Sequence, residues 1–398
     1  IEAAGSYRRR SQTIGDLDIL AVVQGRRETV MDHFVNFEDV SRVISKGTKK
    51  STVILRNGLQ VDLRVVKQES YGAAQVYFTG SKQHNIAIRK IARKKKYKIN
   101  EYGIFKADKK LAGRTEEDIY KQIGLCWIPP VLRENRGEVE AAREGKLPKL
   151  IELKDLKGDL HTHSNYTDGK STIQEMAEAA HQRGYRYLAI TDHSQRLTVA
   201  NGLDPKRLQQ QMEEIDRINR DMKGFTVLKG IEVDILEDGQ LDMPDEMLKQ
   251  LDIVVCSVHS RFNLSKDRQT GRLIEAMQNP YFDIFAHPTG RRIQQRPPYE
   301  FDMEKVMEAA VENGCFLELM AHPERLDLDD THCKLAKEMG LRISISTDAH
   351  RADQLEYIKY GLDQASRGWI EAENVINTRT MTSIKKLLKK NKEQERTA

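Results

Sequence analysis

The sequence predicts a multidomain α/β protein, with a mixed α+β first part and a second part of repeated β/α units. Three observations carry this expectation. Seven short apolar runs, at 158–163, 187–193, 227–235, 253–259, 284–287, 315–319 and 342–350, alternate with helical segments and start 26–40 residues apart. That spacing fits a βα repeat around a barrel or along a parallel sheet. The charge is also divided. Residues 1–150 hold 30 Lys+Arg against 18 Asp+Glu, and the remainder holds 35 against 42, so the net +5 resolves into +12 and −7. Finally, 398 residues exceed one ordinary domain. The basic half invites a polyanion, and the acidic half invites metal ions.

Composition excludes several classes. Hydrophobic residues make up 39% and charged residues 31%, enough apolar material to bury cores in water. No run of about 18 apolar residues exists to span a bilayer, and no signal-peptide core is visible. Cys126, Cys256, Cys315 and Cys333 are scattered and form no disulfide framework, which fits a reducing, cytoplasmic setting. The chain opens at Ile1 and is expected to be part of something longer.

In the first half, 17–23, 51–55 and 61–66 read as strands. Asn57-Gly58 between two of them is a hairpin turn, since both residues accept positive φ. Helical patterns lie at 30–37 and 85–95, and Thr115 followed by Asp118 starts another helix with Thr115 as its N-cap. Pro129-Pro130 stops regular structure, and the charged stretch 129–157 reads as a linker. Residues 1–128 and 158–378 are therefore the two functional domains. In the second, Ile173, Met176, Ala177 and Ala180 form one helical face that Gly184 ends. A basic amphipathic helix is expected over 382–392, within a terminal segment 379–398.

The histidines carry the chemistry. Nine of eleven fall after residue 150, and five of the seven runs end in one or two of them: His161 and His163, His193, His259, His287 and His350. The run 227–235 carries Glu232 instead. Carboxyl ends of parallel strands converge on one face, so residues far apart in sequence meet there. His161 and His163 are an i, i+2 pair on one strand face, and Asp348 with His350 repeats the arrangement. Asp168 follows in a turn. One such histidine is usually just a polar loop residue; six with three carboxylates at successive strand ends make a ligand set. Nine ligands exceed the four of one tetrahedral ion and argue for two or three ions, with N/O donors suiting zinc, manganese or iron.

This half resembles the PHP (polymerase and histidinol phosphatase) domain. The matching stretches lie at 158–164, 166–169, 190–194, 230–234, 257–260, 286–291 and 346–350. The resemblance implies a distorted (β/α)7 barrel with a trinuclear site that hydrolyses phosphoesters. Its ligands would be His161, His163, Asp168, His193, Glu232, His259, His287, Asp348 and His350. No ligand position is lost, so an active site is expected. Arg261, Arg291 and Arg292 follow strand ends and are candidates to clamp phosphate. His322 and Glu324 follow the sixth run, where Met320 replaces the family's usual Asn.

The first half has its own constellation. Gly5-Ser6-Tyr7-Arg8-Arg9 precedes Gly15-Asp16-Leu17-Asp18, and Asp62 sits in a further apolar strand. Asp16 and Asp18 share a strand face, and three carboxylates on neighbouring strands can hold the two cations that phosphoryl transfer requires. With residues 77–81, 84–89, 99–103 and 128–130, this pattern resembles the nucleotidyltransferase palm of family X DNA polymerases. The resemblance implies Mg²⁺ or Mn²⁺ on Asp16, Asp18 and Asp62. It places Gly5, Ser6, Arg9 and Gly15 at the triphosphate, Tyr77, Phe78 and Gly80 in a turn beside the sugar, Asn85 near the incoming base and Arg89 near the template. The basic run containing Arg89, Arg93, Lys94, Lys95 and Lys96 is expected to meet a phosphate backbone.

The reading is the carboxyl-terminal portion of a bacterial family X repair polymerase. It would fill gaps with dNTPs and trim DNA 3′ ends, as a monomer with no membrane partner. The helix-hairpin-helix segments of such enzymes are not in this sequence, so weak or absent polymerisation is one expectation. Two rivals stand beside it: a small-molecule phosphatase of the histidinol-phosphate type, and a nuclease delivered to DNA by a non-catalytic palm.

Overall fold

The computed structural model describes residues 1–388, in two compact units that divide between Pro148 and Lys149. Among the described residues no helix is long and apolar enough to cross a membrane.

The first unit is built on a five-stranded sheet. Its strands are β1 (Glu2–Ala3), β2 (Asp16–Val22), β3 (Val40–Lys46), β4 (Lys50–Leu55) and β5 (Gln60–Val66). The spatial order is β1-β2-β5-β4-β3, with β2 and β5 parallel and the other pairs antiparallel. The Asn57-Gly58 turn joins β4 to β5, with Gly58 at φ 86° and its N–H donating to the Leu55 carbonyl at 2.9 Å. A second sheet holds β6 (Lys98–Asn100), β7 (Gly103–Lys106) and β8 (Lys109–Ala112). The expected helices run over Arg27–Val35, Lys82–Lys94 and Glu116–Ile123, the last capped by the Thr115 hydroxyl.

The segment read as a linker is folded chain up to residue 148. Val131 and Leu132 are buried, and helix Glu138–Glu144 packs into the first unit. Two of the segment's charges, Arg133 and Glu138, are buried with internal partners. Arg133 is fully buried and forks onto Glu116 through two bonds of 2.7 and 3.0 Å, while Arg8 forks onto the same carboxylate at 2.7 and 3.0 Å. Glu138 is buried against His84 at 2.7 Å. Burial pushes the Glu116 carboxyl up, but Arg133 and Arg8 hold it down at about 2.

The second unit is a ring of seven parallel strands in chain order: β9 (Gly158–Asp159), β10 (Tyr187–Ile190), β11 (Thr226–Asp234), β12 (Ile253–Ser257), β13 (Ile284–Phe285), β14 (Phe316–Met320) and β15 (Ile343–Ser346). Strand alternation sorts the side chains. Leu188, Ile190, Val254 and Cys256 pack outward with Met176, Ala180 and Leu273 of the surrounding helices. Tyr187, Ala189, Ile253, Val255 and Ile284 point inward with Ile376, Ile384 and Leu388. Helix Ile173–Gln182 buries the expected face and starts with a Thr172–Glu175 capping box. The terminal helix spans Met381–Leu387, and the rest of the expected 382–392 helix lies outside the described residues.

The ring closes at a narrow seam. β9 and β15 share only the parallel bridge Thr162–Ala349, with His163 N–H donating to Ala349 at 2.8 Å and Asp348 N–H to His161 at 3.0 Å. Below it, buried Asn377 donates to the Gly158 and Ile345 carbonyls at 2.8 Å each and accepts from Ile345 N–H at 3.0 Å. Replacing Asn377 by Ala removes three buried hydrogen bonds, each worth about 1 kcal/mol net. We expect Asn377→Ala to cost the second unit roughly 2–4 kcal/mol in urea unfolding followed by Trp369 fluorescence. Glu116 gives a pH prediction for the first unit. Its folded pKa of about 2 lies below the ordinary 4.5, so its stabilisation is present above 4.5 and lost as pH falls towards 2. Unfolding followed by Trp127 should show that loss in the intact chain and not in Glu116→Gln, which is already destabilised at neutral pH.

Candidate metal centre and nucleotidyl-transfer site

The carboxyl ends of the ring bring together the nine residues read from sequence. Three ligand groups have their donor atoms within 4.8 Å of one another: His163, Asp168, His193 and His350; His161, His163 and Asp348; and His193, Glu232 and His259. His163 belongs to two groups and His193 to two, so the three positions are contiguous. His287 joins through Glu232, with Nε2 2.9 Å from Oε1. His161, His163, Glu232 and His287 are almost wholly buried, whereas Asp168 and His350 are open to solvent.

The contacts within the cluster fit cations. His193 Nδ1 lies 2.7 Å from Glu232 Oε2, and His163 Nε2 lies 2.8 Å from Asp348 Oδ1. Yet His193 Nδ1, Glu232 Oε2, Asp348 Oδ1 and Asp168 Oδ1 are buried and make no hydrogen bond. Buried polar atoms normally find partners; here they face one another with lone pairs converging. His161 and His163 likewise present their Nε2 atoms 3.2 Å apart. Without cations the charge balance falls to the imidazoles. Burial pushes Glu232 up, but His193, His259 and His161 hold it well below the usual carboxylate range. Asp348 is held down against its burial by His161 and His350. Burial would lower His193, but Glu232 and Asp168 raise it to about 10, whereas burial and the neighbouring His350 and His193 push His163 down to about 3.

Sequence reasoning missed two residues that aim these ligands. Glu318, buried on β14, accepts from His161 Nδ1 at 2.8 Å and from His287 N–H at 2.8 Å. Asp234, at the end of β11, contacts His259 Nδ1 at 2.6 Å. A carboxylate on the far ring nitrogen fixes the tautomer and frees Nε2 for a cation. The available signal was a lone Glu inside an otherwise apolar strand.

In the first unit, Asp18 and Asp62 are direct register partners on the parallel pair β2–β5, and Asp16 lies two residues before Asp18 on the same face. Asp62 is braced by Thr52 Oγ1 and Lys50 Nζ, each at 2.6 Å, and it titrates below its ordinary value. Burial and the adjacent Asp16 raise Asp18. Gly5 is required where it stands. Its φ is +61°, and a Cβ there would come 2.5 Å from Asp18 Oδ2. Ser6 sits in the following helical turn, Gly5–Arg8, and Gly15 is exposed just before β2.

The other residues read from the palm resemblance are placed with differences. Tyr77 and Phe78 close helix Tyr71–Thr79, so the turn proper begins at Gly80, with φ 72°. Arg9 donates from Nη1 to the Thr79 carbonyl at 2.6 Å and from Nε to Glu134 at 2.9 Å. Asn85 is buried and donates to the Tyr77 carbonyl at 2.7 Å. Arg89 stacks over the Tyr77 ring at 4.9 Å and lines an open groove with Ile86, Lys90, Arg93 and Lys94. Lys95 and Lys96 are exposed just past that helix. In the barrel, Arg261 is exposed and pairs with Glu237 at 3.0 Å. Arg291 differs from its phosphate-clamp expectation: it donates to the Arg325 carbonyl at 2.8 Å and to that of Leu326, so it supports the loop after β14.

Comparison with known proteins places both units. The DNA polymerase beta thumb matches residues 74–134, and the PHP domain matches residues 159–322. The DNA polymerase/3′-5′ exonuclease PolX of Bacillus subtilis (strain 168) is 42% identical over 392 residues, covering 98% of this chain and 68% of that protein. This chain belongs to the bacterial family X DNA polymerases. Its family X organisation is a polymerase thumb joined to a PHP domain, a combination that uses divalent metal ions. A probable phosphatase of Thermoanaerobacter sp. (strain X514) is 34% identical over 245 residues, 59% of this chain and 95% of its own length. A ternary primer–template complex of Leishmania infantum polymerase beta is 26% identical, covers 33% of this chain and 66% of that one, and has a TM-score of 0.31.

In this family X chain Glu318 bonds the ring of His161 and the backbone N–H of His287. We expect Glu318→Ala to weaken manganese retention about 10–100-fold in equilibrium dialysis, with Glu318→Gln intermediate. Unchanged retention in both variants would remove Glu318 from the support of the cluster.

Proposed function

We propose that the chain works on DNA 3′ ends with two sites, a gap-filling palm that adds dNTPs and a barrel that removes terminal nucleotides as a 3′-5′ exonuclease. The observation that carries this reading is the nine-residue cluster, in which His193 Nδ1, Glu232 Oε2, Asp348 Oδ1 and Asp168 Oδ1 are buried without hydrogen bonds. Its three overlapping groups suit three ions, and an all-N/O donor set suits zinc, manganese or iron. Asp16, Asp18 and Asp62 would hold Mg²⁺ or Mn²⁺ in the palm. Bound in these positions, divalent cations supply Lewis acidity towards phosphate oxygens and lower the pKa of water.

The chain's own groups do the rest. In the barrel, Glu318 and Asp234 hold His161 and His259 with Nε2 turned to the cluster, and the half-exposed Asp168 and His350 leave the mouth open to a strand end. In the palm, Lys50 and Thr52 keep the Asp62 carboxylate ionised and oriented beside Asp18, and Gly5 lets backbone approach that pair. The exposed Arg93, Lys94, Lys95 and Lys96 would follow the phosphate backbone of gapped or primer–template DNA. Each unit carries its own ligand set, so the chain is proposed to act as a monomer. Four free cysteines suit the cytoplasm.

The test is a labelled primer–template incubated with Mn²⁺, with and without dNTPs. Shortening without dNTPs should fall at least about 100-fold in Asp348→Ala, and lengthening with dNTPs should fall similarly in Asp16→Ala, each loss amounting to about 2.7 kcal/mol of activation free energy. Turnover of a phosphomonoester metabolite with no action on DNA would instead favour a small-molecule phosphatase. Shortening without any lengthening would leave the palm as a DNA-binding module.

A further inference from the structure

β14 is the one barrel strand whose carboxyl end gives the cluster no ligand. The loop that follows it, residues 321–328, is nonetheless held firmly. Met320 N–H donates to Asp327 at 2.6 Å, Ile293 N–H to Glu324 at 2.7 Å, and Thr289 N–H to the Asp327 carboxylate at 2.9 Å. Arg291 bonds the carbonyls of Arg325 and Leu326, and Arg292 pairs with Glu324 at 2.5 Å. This loop is therefore fixed to the one after β13, which carries His287.

Such anchoring leaves two side chains of the loop without matching partners. His322 Nδ1 accepts from Glu324 N–H at 3.3 Å, and its ring meets Tyr357 edge-on at 5.1 Å. Among the described residues nothing bonds its Nε2. Arg325 is half-buried and, among the described residues, its guanidinium has no hydrogen bond or ion pair. The neighbouring arginines are all engaged: Arg291 and Arg292 as above, and Arg296 with the Gly290 carbonyl at 2.6 and 2.9 Å and over the Phe262 ring at 4.5 Å.

Both residues stand on the loop that leaves the carboxyl end of β14, on the face of the ring that carries the cluster. Burial lowers the His322 imidazole, and the Asp348 carboxylate opposes that. A guanidinium offers a planar fork that matches phosphate oxygens, and an imidazole beside it adds another donor.

We propose that Arg325 and His322 form the phosphoryl-recognition pair of the barrel, holding the phosphoryl group of a nucleic-acid 3′ end against the cluster. This rests on the reading of the barrel as a phosphoester site. Arg291, the arginine that sequence spacing favours, is a support that presents Arg325.

The experiment measures kcat and KM for hydrolysis of a single-stranded oligonucleotide 3′ end, inhibition by inorganic phosphate, and bound manganese in the full chain. Arg325→Ala should raise both KM and the phosphate inhibition constant about tenfold, the loss of one charge-assisted hydrogen bond. Manganese content should stay at the wild-type level and kcat should change less than KM. Arg325→Lys should recover part of the loss, and His322→Ala should show a smaller effect of the same kind. Arg325→Met keeps the stem packed and covers the case in which the alanine variant misfolds. Wild-type KM and phosphate inhibition in Arg325→Met and His322→Ala, while Asp348→Ala is inactive, overturn the recognition pair and leave the site standing. Retained hydrolysis in Asp348→Ala overturns the reading of the site itself.

Discussion

Each strand of the barrel must run in the same direction as its neighbour, because each is reached by a crossover that returns the chain to the starting end. Seven carboxyl ends therefore share one face, and the site depends on that geometry. His161 and Asp348 are nearly two hundred residues apart, yet the β9–β15 seam places their side chains 3.5 Å from each other. The cost is a dense set of imidazoles and carboxylates with little water around them. It is met by mutual charge and by a lower layer of buried carboxylates. Glu318 on β14 is the clearest member, since one side chain ties His161, which follows β9, to His287, which follows β13.

The first unit solves a similar problem with fewer strands. Only β2 and β5 run parallel, and their register sets Asp18 opposite Asp62. The support again comes from buried charge. Glu116 receives a guanidinium fork from each side, from Arg8 beside the glycine turn and from Arg133 more than a hundred residues later. Breaking one arm would leave a buried charge unpaired, which costs far more than an exposed pair is worth. The helical turn Gly5–Arg8 is thereby tied to the chain around Arg133 on so small a scaffold.

The barrel was legible in the sequence because its signals are local. Apolar runs ending in histidine, spaced by one helix, report strand, direction and ligand together. The six histidines of the cluster emerged for that reason. Glu318 did not, because its partners lie on other strands and its own run reads as plain core. The charged stretch 129–148 was misread because charge usually marks solvent, whereas Arg133 and Glu138 are buried with partners supplied by distant residues. Arg291 was misassigned on similar grounds: spacing placed it near the site, but only the loop after β14 shows what its guanidinium holds. Helix Tyr71–Thr79 was not foreseen, since its Gly, Ala and aromatic residues show no amphipathic period.

The seam has a further consequence for how the protein is made. Strands β9 to β14 can pair as they emerge, each onto the one before. Asn377, however, joins the first strand to the last from a position thirty-one residues beyond the end of β15. During synthesis the seam therefore gains its full set of bonds only after that asparagine has left the ribosome. The histidines that follow β9 are thus among the first residues of the cluster to be translated and among the last to find their partners.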